Sequence, residues 1–196
     1  GQHLQAPGDF AELGGPVVAT CGAGATHQLQ VVDHDQAQLA ALARLAARGL
    51  AYDAWQYFGQ LPELCAAADA LPQLTMVVNH CGGLLGVGPY ATPDNFARWK
   101  RLVTEVALRP NVQMKIGGLA GRRNGFGYET RARATLAELV ADWRPYIETC
   151  IELFGPERCM FESNYPVDNV AGDYQMLWNV FKTLAANCSA DEKSAL

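Results

Sequence analysis

Thr75-Met-Val-Val-Asn-His-Cys-Gly-Gly83 is the stretch on which the fold turns. A short apolar run reads as a fully buried strand, Thr75–His80, which stops at one histidine and then breaks into glycines. In a parallel α/β fold the loops after the strand C-termini hold the chemistry. A histidine there binds a metal or moves a proton at neutral pH; the plainer reading is a core histidine satisfied by a backbone partner. Cys81 follows and raises a Cys–His nucleophile pair. Adjacent residues on a strand point to opposite faces, which disfavours direct pairing.

Outward from this strand, helices and strands alternate. Upstream, Leu39, Leu42, Leu45 and Ala46 recur at helical spacing, with Gly49 as a C′ residue. Leu50–Tyr57 then reads as a strand. Leu61, Leu64, Cys65 and Ala68 make a second helical face, with Pro62 in its first turn. Downstream, Thr92 predicts an N-cap with Pro93 at N1, and Phe96, Trp99, Val103 and Val106 form the buried stripe. Asn111–Ile116 is the third strand, and a long glycine- and arginine-rich loop runs from Gly117 to Arg133. Thr135-x-x-Glu138 is a capping box opening another helix, in which Pro145 predicts a kink or restart. Gly155-Pro156 stops that helix, Arg158–Ser163 is the fourth strand, and Asp173 caps the next helix. Ser189-x-x-Glu192 is one more capping box.

Strands alternating with helices imply a parallel sheet with right-handed crossovers. A complete eight-fold barrel takes about 250 residues, and this chain has 196. The expected fold is therefore α/β: either a smaller doubly wound sheet or, favoured by the fresh helix cap at its end, a TIM-type (β/α)8 barrel that is incomplete, with about four to five βα units and its N-terminal strands missing. Residues 1–34 are a poorly defined N-terminal segment, in which only Gly15–Thr20 hints at a strand; residues 35–196 form the partial barrel domain. An arc with open edges predicts self-association, so a homo-oligomer is expected.

Composition narrows the function. Hydrophobic residues are 49% and charged residues 18%, enough apolar content for a sizeable core. A net charge of −5 does not favour nucleic acid. No apolar run approaches the roughly 20 residues of a membrane span, and Gly1–Pro7 lacks the pattern of a signal peptide. No initiator methionine is present, so a fragment or processed product is the expectation. The six cysteines form no C-x-x-C pair and read as reduced, mostly buried thiols of a cytoplasmic protein.

The strand ends are Gln56/Tyr57, Asn79/His80, Lys115 and Ser163/Asn164. Together they predict a ring of polar side chains at one barrel mouth. The Gly117–Arg133 loop predicts a lid, with Phe126 and Tyr128 as cover and Arg122, Arg123, Arg131 and Arg133 as carboxylate forks. Gly86-Val-Gly-Pro-Tyr-Ala91 fits a dinucleotide pattern only formally, because Pro89 interrupts it and no acid closes the next strand; it reads as a shaped loop beneath the lid. The four histidines, at 3, 27, 34 and 80, form no H-x-H or H-E-x-x-H.

Asn79-His-Cys-Gly-Gly83, Lys115-Ile-Gly-Gly-Leu119 and Phe154-Gly-Pro-Glu-Arg-Cys-Met-Phe-Glu-Ser-Asn-Tyr-Pro-Val167 resemble the amidohydrolase-related family of metal-dependent TIM-barrel hydrolases. The resemblance spans about residues 38–196. It implies a first strand bearing H-x-H upstream, a divalent zinc or manganese ion in the complete protein, and His80 as metal ligand or substrate contact. It also implies hydrolysis of a lactone or similar cyclic ester, or of a related C–N bond, in a small carboxylated substrate; decarboxylases are among the relatives. Asn164 stands where the family usually has aspartate. Asparagine cannot take a proton as a carboxylate does, so Glu162 or Asp168 is the expected base, with Asn164 orienting reactants. Glu162 has a plainer reading as a helix-facing residue paired with an arginine. Lys115, Tyr57, Arg122, Arg123 and Tyr128 are the expected substrate contacts. The competing expectation is an inactive small-molecule-binding barrel or a truncated fragment.

Overall fold

The computed structural model describes residues 16–21, 25–30 and 36–196. Of the N-terminal segment, only β1 (Pro16–Cys21) and β2 (Ala25–Gln30) are described, paired antiparallel; His3 and His34 lie outside the described residues. The rest follows the alternation predicted by periodicity. The elements are α1 (Gln36–Ala46), β3 (Tyr52–Ala54), α2 (Leu61–Ala70), β4 (Met76–Val78) and α3 (His80–Gly83), the last a single irregular turn. Then come α4 (Asn95–Ala107), β5 (Val112–Gly117), α5 (Leu136–Phe154), β6 (Cys159–Glu162), α6 (Tyr174–Leu184) and α7 (Ala190–Ala195).

Strands β3, β4, β5 and β6 pair in sequential order, all parallel. A doubly wound sheet reverses its order at a switch point. Sequential order with no reversal is the wall of a barrel, and the four βα units form an arc of one.

The pleat separates two faces. Val112, Met114 and Ile116 of β5 are buried, while Gln113 and Lys115 between them are only half-buried. Register extends the buried row across the sheet: Ala54 lies beside Val78, Val78 beside Met114, and Met114 beside Cys159. This face meets the helices, as Phe161 shows by stacking on Phe181 of α6 with centroids 4.8 Å apart. The opposite, inner face carries Asp53, Val77, Gln113, Lys115, Met160 and Glu162 by the same two-residue period.

The helices lie on the outer face for local reasons. Leu61, Leu64, Cys65 and Ala68 of α2 are its buried residues, at the spacing the sequence shows. Helix α5 opens on a reciprocal capping box: the Glu138 amide donates to Thr135 Oγ1 at 3.3 Å and the Thr135 amide to Glu138 Oε2 at 2.7 Å. Caps of this kind contribute about 1 kcal/mol. Asp173 caps α6 by accepting from the Met176 amide at 2.8 Å, and Ser189 with Glu192 caps α7.

Four local expectations are corrected. Thr92 does not cap α4; it ends in a turn, with the Asn95 amide donating to its carbonyl, and the helix begins at Asn95. The Asn95 side chain is drawn inward to donate to the Leu85 carbonyl at 2.6 Å. Asn95 joins Trp99, Val103 and Val106 in the buried stripe, and Phe96 is only partly buried. Pro145 neither breaks nor restarts α5, which runs through it. Trp143, Ile147, Cys150 and Phe154 are buried on both sides of the proline. Their packing outweighs a missing rung worth about 3 kcal/mol. The first sheet strand is also shorter than Leu50–Tyr57, which leaves Gln56 and Tyr57 on the connection to α2.

Cys65, Cys81, Cys150, Cys159 and Cys188 are free thiols. Among the described residues no helix is long and apolar enough to cross a membrane.

Candidate functional site

Where β4 ends, the chain turns back on itself with positive φ at four successive residues: His80 (57°), Cys81 (52°), Gly82 (79°) and Gly83 (71°). Glycine adopts this region freely; histidine and cysteine do so at roughly 1–2 kcal/mol each. Contacts from distant segments hold the turn. Trp99 Nε1 donates to the Cys81 carbonyl at 2.8 Å and Asn124 Nδ2 to the Leu84 carbonyl at 3.0 Å. The Gly86 amide donates to the Arg123 carbonyl at 2.8 Å. Strain held by surrounding structure is common where side chains are aimed for function.

The turn delivers His80 to Glu162, 82 residues later at the end of β6. Glu162 Oε1 accepts the His80 amide at 2.9 Å and lies 2.6 Å from His80 Nδ1. An ionised Glu162 accepts a hydrogen bond from Nδ1–H, which fixes the tautomer and leaves Nε2 as the reactive nitrogen. Glu162 is thus on the inner face, paired with His80 and, among the described residues, with no arginine. The glycine pair between the two side chains makes room for them. A Cβ on Gly118 would overlap the His80 ring, and one on Gly117 would overlap Glu162.

His80 lines a pocket of about 450 Å³ together with Trp55, Tyr57, Arg122, Arg123 and Asn164. Trp55 and Tyr57 meet edge to face, 5.2 Å between centroids, and the Arg123 guanidinium lies 5.5 Å from the Tyr57 ring centre. The Tyr57 hydroxyl is buried with no hydrogen-bond partner among the described residues. Arg122 is 85% exposed at the mouth, 3.8 Å from Glu129.

Asn164 enters from beyond β6, with a φ of 46° that asparagine tolerates better than most residues. Its Nδ2 donates to Asp168 Oδ1 at 2.8 Å, and Asp168 Oδ2 accepts the Ala120 amide at 3.3 Å. Asp168 is 1% exposed. Burial pushes its carboxyl up to about 6, assisted by the nearby Glu162 charge and opposed by the hydrogen bonds from Asn164 and Ala120 and by nearby His80.

Five of the expected site residues, His80, Asn164, Tyr57, Arg122 and Arg123, therefore meet at one pocket. Glu162 and Asp168 stand directly behind two of them. Three expectations are corrected. Lys115 is not at the rim: β5 continues to Gly117, and the Lys115 ammonium is bound to Asp53 Oδ2 at 2.7 Å across β4. Tyr128 is 2% exposed and faces α5, donating to Asp142 Oδ2 at 2.8 Å. The Gly117–Arg133 loop is a pinned wall rather than a free lid. It is tied by Arg123 and Asn124 to the 84–86 segment, and Phe126 packs edge to face on Tyr146.

Cys81 is fully buried beneath the turn beside Cys150 and Cys159. Burial holds the Cys150 thiol well above its ordinary range and pushes Cys159 up to about 12. A Cys81 nucleophile does not fit this surrounding. Sequence reasoning missed Trp55, whose aromatic type beside Tyr57 at a strand end was a usable signal, and Asp53, whose partner is set by register alone.

Among the described residues no three His, Cys, Asp or Glu side chains come together to hold an ion. His80 offers one nitrogen, and both Asp168 oxygens are engaged. A catalytic zinc takes three protein ligands, so these residues alone do not form its site.

The family model described as Amidohydrolase matches residues 19–196. The protein y4mH of Sinorhizobium fredii is 35% identical over 152 residues, 78% of this chain and 46% of its own length. The L-fucono-1,5-lactonase of Burkholderia multivorans is 32% identical over 190 residues, 88% of this chain and 59% of its own length. A zinc-bound amidohydrolase structure from Burkholderia multivorans aligns with a TM-score of 0.71 at 26% identity, covering 83% of this chain and 54% of that one. The chain spans about half the length of the relatives it matches.

Proposed function

This chain belongs to the amidohydrolase family, and from that premise we propose that its pocket opens a lactone or similar cyclic ester of a small oxygen-rich or carboxylated molecule by attack of water. The carrying observation is the 2.6 Å contact between Glu162 and His80 at the wall of a pocket edged by arginine. Glu162 holds the Nδ1 proton, so His80 Nε2 takes a proton from water as its oxygen attacks the lactone carbonyl carbon. The ring C–O bond breaks, and the imidazolium returns that proton to the departing alkoxide. Arg122 and Arg123 hold an anionic or carbonyl oxygen of the substrate. Asn164 orients a hydroxyl or the water. The sugar-lactone activity named for the Burkholderia multivorans relative supports this substrate class.

The test is proton release from L-fucono-1,5-lactone near pH 7, with spontaneous hydrolysis subtracted. His80→Ala is expected to lower kcat by about 10³-fold and Glu162→Gln by about 10²-fold. Undiminished turnover in His80→Ala removes His80 from the mechanism. One observation favours a second reading: Asn164 lines the pocket as an amide, which cannot take a proton as the carboxylate implied there by the resemblance would. A non-catalytic binding barrel then follows, and calorimetry separates the two by showing lactone binding without product.

A further inference from the structure

Asn164 is clamped at both its main chain and its side chain by one residue. The Asp168 amide donates to the Asn164 carbonyl at 3.1 Å, and Asn164 Nδ2 donates to Asp168 Oδ1 at 2.8 Å. The second Asp168 oxygen is occupied by the Ala120 amide, a donor fixed in the backbone at the start of the pinned wall. An ionised carboxylate only accepts hydrogen bonds, so the Asn164 NH2 group must face Asp168. The side-chain oxygen, Asn164 Oδ1, is the end left for the pocket that this residue lines.

We propose that Asp168 is a positioning residue that orients the Asn164 amide with its oxygen toward the pocket, so that the site selects substrates carrying a hydroxyl donor at that point. A carboxylate oxygen or an ether offered there would meet an acceptor with an acceptor. The cationic end of the pocket, at Arg122 and Arg123, takes the opposite chemistry. The pocket is thus polarised, favouring an oxygen-rich acceptor end near the arginines and a hydroxyl near Asn164. The choice of substrate class rests on the lactone reading; the amide orientation does not.

The geometry prescribes a reversal. In Asp168→Asn, the Ala120 amide still demands an acceptor, so the new side chain turns its oxygen to Ala120 and its NH2 to Asn164. Asn164 must then rotate, present its own oxygen to residue 168 and aim its NH2 into the pocket. A role in folding alone would weaken all ligands together; a reversed amide exchanges one preference for another.

The probes are L-fucono-1,5-lactone and its mono-O-methyl ethers, titrated calorimetrically into the chain. In the wild type, methylation of one hydroxyl is expected to weaken binding about tenfold, the usual consequence of an unpaired buried acceptor. In Asp168→Asn the same hydroxyl-to-ether ratio falls to about one. An unchanged ratio overturns the proposal. A second measurement needs no ligand: in the side-chain amide NMR spectrum of the free wild type, the Asn164 NH2 should show one proton protected from exchange, with that protection altered in Asp168→Asn. An unprotected Asn164 NH2 in the wild type sinks the proposal even if lactones bind. A protected amide with no lactone binding sinks the lactone reading instead.

Discussion

Lys115 and Ile116 are neighbours on β5, yet one peptide unit separates two kinds of environment. Ile116 is fully buried on the face that meets the helices, in a row with Phe161 of the next strand. Lys115 lies on the inner face, half-buried, bound to Asp53 across β4. The outer face is closed by apolar packing among helices that carry their own caps. The inner face and its rim hold polar pairs: the Asp53–Lys115 ion pair, and Glu162 hydrogen-bonded to His80. Stability therefore resides mostly on one side of the sheet and chemistry on the other, and substitutions on the two sides should differ in kind as well as in size.

Ile116→Ala should show the largest effect on stability. Removing a fully buried side chain costs about 2–5 kcal/mol, read as a lowered urea midpoint. A loss below 1 kcal/mol would mean that the outer face is not the dominant core. The rim comes next, through pH. The Asp168 carboxyl sits at about 6 in the fold against an ordinary 3.8. Between these values the native state keeps a proton that the unfolded chain has released, so this group's contribution rises as pH falls. It is fully present below the lower value and is lost as pH climbs through about 6. About two pK units correspond to something on the order of 3 kcal/mol. The difference in unfolding free energy between wild type and Asp168→Asn, followed from pH 4 to pH 7, isolates this group from the exposed carboxylates. A flat difference would contradict its burial.

The inner face should give the smallest effect. A double-mutant cycle of Lys115→Met and Asp53→Asn is expected to yield a coupling of about 1 kcal/mol, because both groups remain partly in contact with solvent. A coupling of several kcal/mol would place the pair in a much drier setting and erase the contrast between the faces.

Much of the outer face was legible in the sequence. The α2 stripe, the capping boxes at Thr135 and Ser189 and the Asp173 cap all depend on residues within one or two helical turns. Thr92 misled because Asn95 answers to the Leu85 carbonyl, ten residues back and outside the helix. At the rim, residue types were legible but pairings were not. His80, Asn164 and the arginines were marked by lying just after predicted strands. That Glu162 serves His80, that Asp168 holds Asn164, and that Tyr128 turns away to Asp142 had no local signature.

The sequence by itself determined which segments become strands and helices, where most helices start, and which side of each seeks a core, because periodicity and capping act between residues a few positions apart. Tertiary structure alone decided which charges meet. Such meetings depend on strand register, as when Gly117 beside Glu162 sets the end of β5 level with the end of β6. They depend also on a left-handed turn at His80 that distant contacts from Trp99, Asn124, Arg123 and Glu162 hold in place.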